Sequence, residues 1–554
     1  MKSAEEIIEE TETLETERDP WLSLHQEIAE YVRPMKDQIQ RESTVPNMQT
    51  ETALFDSTAV MANQIMGNGC LTWMTPHDQP WFEFEPPEFQ MRDDEAKGWF
   101  QFCTAIAREE IARSNFYSII HEFYLDGGAF GTAPVYAEEG RKTLLNFRIW
   151  QPGEFSIAED SELDVDKCHR RYELTVRQIM QEFEKEEIPQ EVRDMANDVK
   201  RMNQRMEIVH AVFPRDPKDI NPSQPMNPKS FPIESRHILV KYKKDLRISG
   251  YHEKPFAVRR YLKWGHSPWG WSPAWIALPD ARQLNFLERN LDALTEVITY
   301  PRLLMPSEFE GNVDLSAGGI TYFNPANPAA IPREWATAGR YDTGFERAER
   351  KRKAINDAYH VPMFQLFANL DRPQMTALEV AERSGEKLVM FTPTFARMTT
   401  EVFNPLLKRI FSILIRRQAF PPPPRSVIVQ DRTGAYLPDP QITYSSKIAL
   451  AIKQLENTGV MRTLDMFLPF LESRPELLDN FNTDLVFRDT ARNNGVPSRF
   501  LRPEREVIQL RQQRAEEQAR QQQIMEAGEM AKAAKNAGQV PPNSPIAGLL
   551  QNAA

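Results

Sequence analysis

Apolar residues recur along much of this chain at intervals of three and four. The most regular run is PDARQLNFLERNLDALTEVITYP, where Leu284, Leu287, Leu291, Leu294 and Ile298 step 3-4-3-4. That step puts side chains on one heptad seam of a helix. Arg282, Arg289, Asp292 and Glu296 fall on the other faces, so the helix packs along one stripe and shows charge to water. FERAERKRKAINDAY predicts a return helix whose buried stripe is Phe345, Ala348, Ile355 and Tyr359. Residues 301–342 hold prolines, glycines and short β runs, a small lobe between two paired helices.

Upstream, DPWLSLHQEIAEYVRP predicts a helix capped by Asp19 with Pro20 in its first turn, carrying Trp21, Leu24, Ile28 and Tyr31 at helical spacing. A second has Leu54, Thr58, Met61 and Ile65 on one face and Gly67-Asn68-Gly69 as its stop. Further helix is expected over about 95–125, ending at Gly127-Gly128. From 131 to 174 the period changes to two, with a hairpin across Glu139-Gly140. Helix TVRQIMQEFE, strands MEIVHAVF, RHILVKY and FAVRRYL, and an exposed Pro-rich loop at 216–232 follow. Residues 1–270 therefore read as one mixed α+β domain.

Downstream, FQLFANLDRPQ at 364–374 reads as a loop. A long helical segment then runs from Thr376 to about Gln418, kinked by Pro393 and Pro405 and ended by the prolines at 421–424. A last helical region covers about 446–530, where REVIQLRQQRAEEQARQQQ is polar almost all round, and 531–554 is expected to be a disordered tail. The fold class expected is α+β, predominantly helical.

Composition narrows the function. The chain has 554 residues, 41% hydrophobic, with a formal charge of -12. That balance excludes a broadly basic, phosphate-gripping protein, so any contact with DNA is loose or local. Three cysteines without CxxC spacing point to a reducing compartment. The acidic start and the lack of a long apolar run predict a protein made in the cytosol that spans no membrane.

HEFYL at His121 lacks the second His of a zinc peptidase helix, and DSELDVD at 160–166 has Val165 and Arg171 where a calcium loop needs Gly and Glu. No phosphate loop and no GxSxG elbow occur. No metal and no cofactor is expected. Cys168-His169 reads as a half-buried strand pair. In LTWMTPHDQPWFEF the prolines hold Trp81 and Phe84 toward a core, so His77 and Asp78 sit at a turn instead of forming a catalytic pair. The run Arg347, Arg350, Lys351, Arg352 and Lys353 is a candidate DNA or motor contact, although a basic helix face is more often simply solvated.

Several stretches, in order, carry a resemblance: FDSTAVMANQIMGNGCLTWMTPHDQPWFEF, YLDGGAFGTAPVY, FPRDP, WGWSPAWIALPDARQLNFL, SAGGI, MTALEVAERSGE with TTEVFNPLLKRIF, and NNGVPSRFLRPEREV. Over about residues 20–510 the chain resembles the portal, or head-to-tail connector, of short-tailed, podovirus-type bacteriophages. Trp269, Ala317 and Leu378 depart locally from the family's usual residues. The resemblance implies a wing (1–270), a stem helix (271–300), a clip (301–342), a return stem helix (343–362), a channel loop (363–375), a long kinked wing helix (376–420), a β connection (421–445), and a crown with barrel helices (446–530). It places Asn369, Asp371, Arg372 and Gln374 toward DNA. It implies a dodecameric ring at one capsid vertex of the virion, assembled in the host cytoplasm. Double-stranded DNA would pass through non-specifically, and the partners would be the large terminase subunit, major capsid and scaffolding proteins, and tail or adaptor proteins. A neck or tail adaptor ring and a DNA-packaging enzyme are the alternatives. The first would usually be far shorter, and the second would need a phosphate loop or a carboxylate metal site.

Overall fold

A computed structural model of the chain describes residues 2–36, 54–90, 93–220, 227–299, 341–368, 391–431, 434–446, 482–493, 500–502 and 504–537, with Ile39, Leu303–Leu304, Arg333–Glu334, Ala449, Thr463 and Met466. The chain divides into two units, Met1–Leu455 and Glu456–Ala554.

The first unit opens with α1 (Ala4–Val32), which starts well before the expected Asp19 cap. Ser3 and Glu6 close its N-terminus as a capping box, each side chain accepting from the other's amide. Pro20 lies inside the helix and removes one donor without ending it. Burial at both ends holds the helix through that defect: Ile7 and Ile8 pack on a sheet, and Ile28, Ala29 and Val32 enter the main core.

α2 (Thr58–Met74) buries Ala59, Ala62, Met66, Cys70 and Met74, whereas Met61 is half exposed and Leu54 precedes the helix. Gly67 and Gly69 are inside α2 and do not stop it. A methyl on Gly67 would overlap Leu125, and one on Gly69 would overlap the Phe364 ring, so these glycines allow close approach. β1 (Phe82–Glu85) follows. The helix expected over 95–125 is two, α3 (Asp94–Arg113) and α4 (Phe116–Phe130), broken at Ser114-Asn115. Gly127 and Gly128 lie within α4, which ends at Gly131 with φ of 77°. Trp81, Phe82 and Phe84 are fully buried, Trp81 stacking on Phe116 with ring centroids 6.0 Å apart. His77 and Asp78 are exposed at the turn, with the His77 ring against Tyr117.

Next come β2 (Thr132–Glu139), β3 (Leu145–Ile149), β4 (Phe155–Glu159), β5 (Val165–Thr175), α5 (Val176–Glu182), α6 (Gln190–Ala196), β6 (Arg205–Pro214), β7 (Ile233–Leu239), β8 (Lys244–Tyr251) and β9 (Phe256–Arg260). They form a three-stranded antiparallel sheet, β3-β2-β9, and a five-stranded one, β4-β5-β6-β7-β8. The larger sheet is covered on both faces. Ile7 and Ile8 of α1 meet Val209, Ala211 and Phe213, while Val176, Ile179 and Val192 of α5 and α6 meet Met206, Ile208 and Leu239. A small hairpin, β10 (Leu262–Lys263) with β11 (Gly270–Trp271), leads onward.

α7 (Pro273–Thr299), the pair β12 (Leu303–Leu304) and β13 (Arg333–Glu334), α8 (Tyr341–Ala358) and α9 (Val361–Ala368) follow. Residues 391–398 are helical, and a π turn at Thr399–Phe403 precedes α10 (Asn404–Arg416). The Asn404 amide donates to the Thr399 carbonyl, so the helix widens just ahead of Pro405, whose missing donor it absorbs. Past Gln418, at φ of 55°, the prolines begin. β14 (Val429–Asp431) and β15 (Gly434–Tyr436) form a hairpin, and β16 (Gln441–Tyr444) returns to pair antiparallel with β1.

Around the π turn lies a buried ionic knot. Arg260, at the end of β9, contacts Glu159 of β4 and donates to Glu401 at 2.8 Å, while Lys263 reaches Glu159 at 2.6 Å. These groups tie both sheets to the widened turn.

In the second unit, α11 (Thr483–Asn493) is joined to α12 (Glu504–Ala537) by Arg511, which makes a bidentate pair with Asp484 at 2.5 and 2.6 Å. α12 runs past the tail boundary expected at 531, and its polar sequence is nearly all exposed over 506–525.

The first unit also buries histidines without charge. His210 and His237 face each other across β6 and β7 with rings stacked 3.9 Å apart. Burial pushes His25 and His169 down to about 4 and His237 to about 3, and holds His210 well below its ordinary value. Below the ordinary histidine value the unfolded chain binds protons that the folded chain refuses, so stability falls as pH drops from about 6.5 toward 4, by on the order of 3 kcal/mol per fully buried group. Thermal unfolding across this range should show a steep loss, shallower in His237→Phe. A flat profile would show that these rings protonate without opening the fold.

Candidate functional site

α7 and α8 lie antiparallel, and the seam between them is built from few side chains. Leu284 and Leu291 are buried on α7, and Ala348, Ile355 and Tyr359 are buried on α8 and just beyond it. A methyl on Gly344 would come within 2.7 Å of Leu291 Cδ2, so this glycine lets the helices approach. Leu287 and Leu294 are half-buried. Ile298 and Phe345, expected inside, are exposed at 58% and 48%. The helices contact along only part of their length, which leaves the outer end of the stripe uncovered within one chain.

Of the five basic residues on α8, two are committed internally. Lys351 donates to Asp280 at 2.7 Å. Arg352 is held by Asp56, Glu288 and Glu349 at 3.0, 2.6 and 2.5 Å. Arg350 reaches Glu346 at 3.4 Å in an exposed pair, and Arg347 and Lys353 are exposed. Asp56, Asp280 and Glu288 were not singled out from sequence. The spacing of Asp280 and Glu288, eight residues apart on one helix, was the available signal for two of them; Asp56 lies in a connecting segment with no periodic mark.

The segment expected as a loop from 363 begins as helix. Met363 and Phe364 are buried in α9, and Phe364 meets the Phe391 ring edge-on at 5.8 Å. The apolar start of this segment explains this, since the Phe364 ring covers Gly69 of α2. Asn369, Asp371, Arg372 and Gln374 lie outside the described residues.

The candidate chemical groups elsewhere are structural. His121 bonds Asn68 at 2.8 Å, and His169 bonds Thr11 at 2.9 Å beside buried Cys168. Asp160 accepts from the Glu162 and Asp164 amides, a solvated turn. Burial raises the Cys70 thiol to about 11 and Cys103 to about 12 and raises Cys168 as well, which keeps all three protonated. Among the described residues no cluster of His, Cys, Asp or Glu could hold a metal ion, and no helix is long and apolar enough to cross a membrane.

The arrangement is a helical hairpin with a narrow seam, whose outer faces carry charges and several exposed apolar side chains, rooted in a covered sheet domain. The model of the bacteriophage head to tail connecting protein family matches residues 4–501. The chain belongs to that family. This connector is 28% identical over 534 residues, 95% of its length and 94% of the relative, to the probable portal protein of Bordetella phage BPP-1. It is 26% identical over 541 residues, again 95% and 94%, to the portal protein of Salmonella phage epsilon15. The connector has a phage portal function, and the family is structural rather than catalytic.

Proposed function

We propose that the chain forms a ring, dodecameric by the resemblance described, at one capsid vertex, and that double-stranded DNA passes through it during packaging and ejection. The observation that carries this reading is the α7–α8 hairpin: a seam that holds two helices together on one side while the remaining faces present charges together with exposed apolar side chains such as Phe286, Ile298 and Phe345, open for neighbours. The formal charge of -12 supports a lining that repels phosphate, because each Lys or Arg contact with the backbone would slow a sliding duplex. In this reading 301–342 is the clip that docks the terminase motor and later the tail, and Asn369, Asp371, Arg372 and Gln374 face the channel. ATP hydrolysis then belongs to the motor.

Imaging the purified chain should reveal closed rings with a central hole, and the rings should turn over no ATP in magnesium. Persistent monomers or open filaments would count against the ring. Magnesium-dependent ATP turnover that co-purifies with the ring and disappears on changing one of its carboxylates would overturn the scaffold reading.

A further inference from the structure

α8 carries opposite charge surpluses on its two flanks. With about 100° between successive residues, the buried edge formed by Ala348, Ile355 and Tyr359 separates a flank bearing Arg347, Arg350 and Lys351 from one bearing Asp342, Glu349, Arg352 and Lys353. On the first flank Lys351 is matched by Asp280, Arg350 is paired only with an exposed Glu346, and Arg347 has no ion-pair partner among the described residues. The balance there is positive. On the second, the single guanidinium of Arg352 gathers three carboxylates, those of Asp56, Glu288 and Glu349. Asp342 is exposed on the same flank without an ion-pair partner among the described residues, and the exposed Lys353 offsets only one of these four carboxylates. The balance there is negative.

Two unlike surpluses on opposite sides of one helix do not neutralise each other within a chain. A two-fold axis through either flank would set like against like. A head-to-tail contact sets unlike flanks together, and such a contact closes into a ring when its rotation closes. We infer that α8 is a bipolar joint between copies of this chain, with Arg347 and Arg350 of one copy docking against the surplus carboxylates gathered at Arg352 of the next. This rests on the ring proposed for the chain and adds its polarity and its charged contacts. Exposed charges of this kind set register and association rate and are screened by salt.

The test is a charge swap in the full-length chain. One variant carries Arg347→Glu with Arg350→Glu; the other carries Asp342→Lys with Glu349→Lys. All four positions are exposed, so circular dichroism should match the unaltered chain. Each variant alone places like charges at every contact and should stay monomeric by native mass spectrometry. An equimolar mixture should form closed rings holding equal numbers of the two variants, because every contact then joins unlike flanks. Rings from either variant alone, or a mixture of folded variants that stays monomeric, would overturn the joint while leaving the ring itself standing. An unaltered chain that never closes into rings removes the ring and the joint together.

Discussion

Leu291→Asp is expected to leave the chain unable to assemble. Leu291 is 8% exposed, and its Cδ2 lies where a methyl on Gly344 would sit only 2.7 Å away, so the new carboxylate is shut away from water. Removing a buried leucine side chain costs about 2–5 kcal/mol, and burying an unpaired charge adds several more unless the helices part. Separation of α8 from α7 also removes the frame on which Arg352 is held. Arg289→Ala, on the exposed side of the same helix, should stay within about 0.5 kcal/mol of the parent. Size-exclusion chromatography and urea unfolding of the two variants decide the point. If both elute and unfold alike, Leu291 is not the centre of the hairpin.

Arg260→Ala is expected to be the second most damaging change. Arg260 is 4% exposed and contacts Glu159 and Glu401, and its own amide donates to Glu401 at 3.2 Å. Truncation leaves Glu159 with Lys263, but leaves Glu401 in the π turn with no charged partner among the described residues nearer than Arg397 at 3.9 Å and only the amide of residue 260 to donate to it. Removing one partner of a buried ion pair costs about 3–5 kcal/mol, because the other charge remains desolvated. Arg260→Lys should recover part of the loss, since an ammonium cannot span two carboxylates as a planar guanidinium does. Hydrogen exchange should speed up in β9 and the π turn together. Arg350→Ala, which removes an exposed pair, supplies the comparison at about 0–1 kcal/mol. Equal melting of the two variants would mean that the buried knot contributes no net stability.

Much of the local architecture was legible in the sequence where one period governed a whole element. The Glu139-Gly140 hairpin, the strands at MEIVHAVF and RHILVKY, and the alternation of helix and strand through 270 follow from spacing alone. The errors share a cause: residues that usually end helices were serving contacts between elements. Pro20 was read as a helix start, yet α1 runs through it because both of its halves are buried elsewhere. Gly67, Gly69, Gly127 and Gly128 were read as stops. They are instead places where Leu125, Phe364, Arg259 and Asn63 come too close for a side chain. β8, KDLRISGY, was missed because its charges hide the alternation; Asp245 is spent on Arg236 in the neighbouring strand. For the candidate site, the regular leucine step runs along a face of α7 on which Leu284 and Leu291 are buried, but it does not tell how far α8 covers that face, since coverage depends on where the partner helix begins and tilts. The carboxylates around Arg352 come from three separate segments, a convergence that no local pattern encodes.

The pairing of β1 with β16 has a consequence in time. Thr443 donates to Glu85 at 2.9 Å across 358 residues of chain, and β1 carries Phe82 and Phe84 into the core beside Trp81. A ribosome adding roughly 5–20 residues per second leaves that edge without its partner for roughly 20–70 s. Throughout that interval an aromatic segment of the nascent chain has an open strand edge, the kind of surface that collects wrong partners. β16 is thus a completion check: a chain interrupted before residue 441 cannot finish its core, and only polypeptides translated through β16 present the finished surfaces that neighbouring copies would meet.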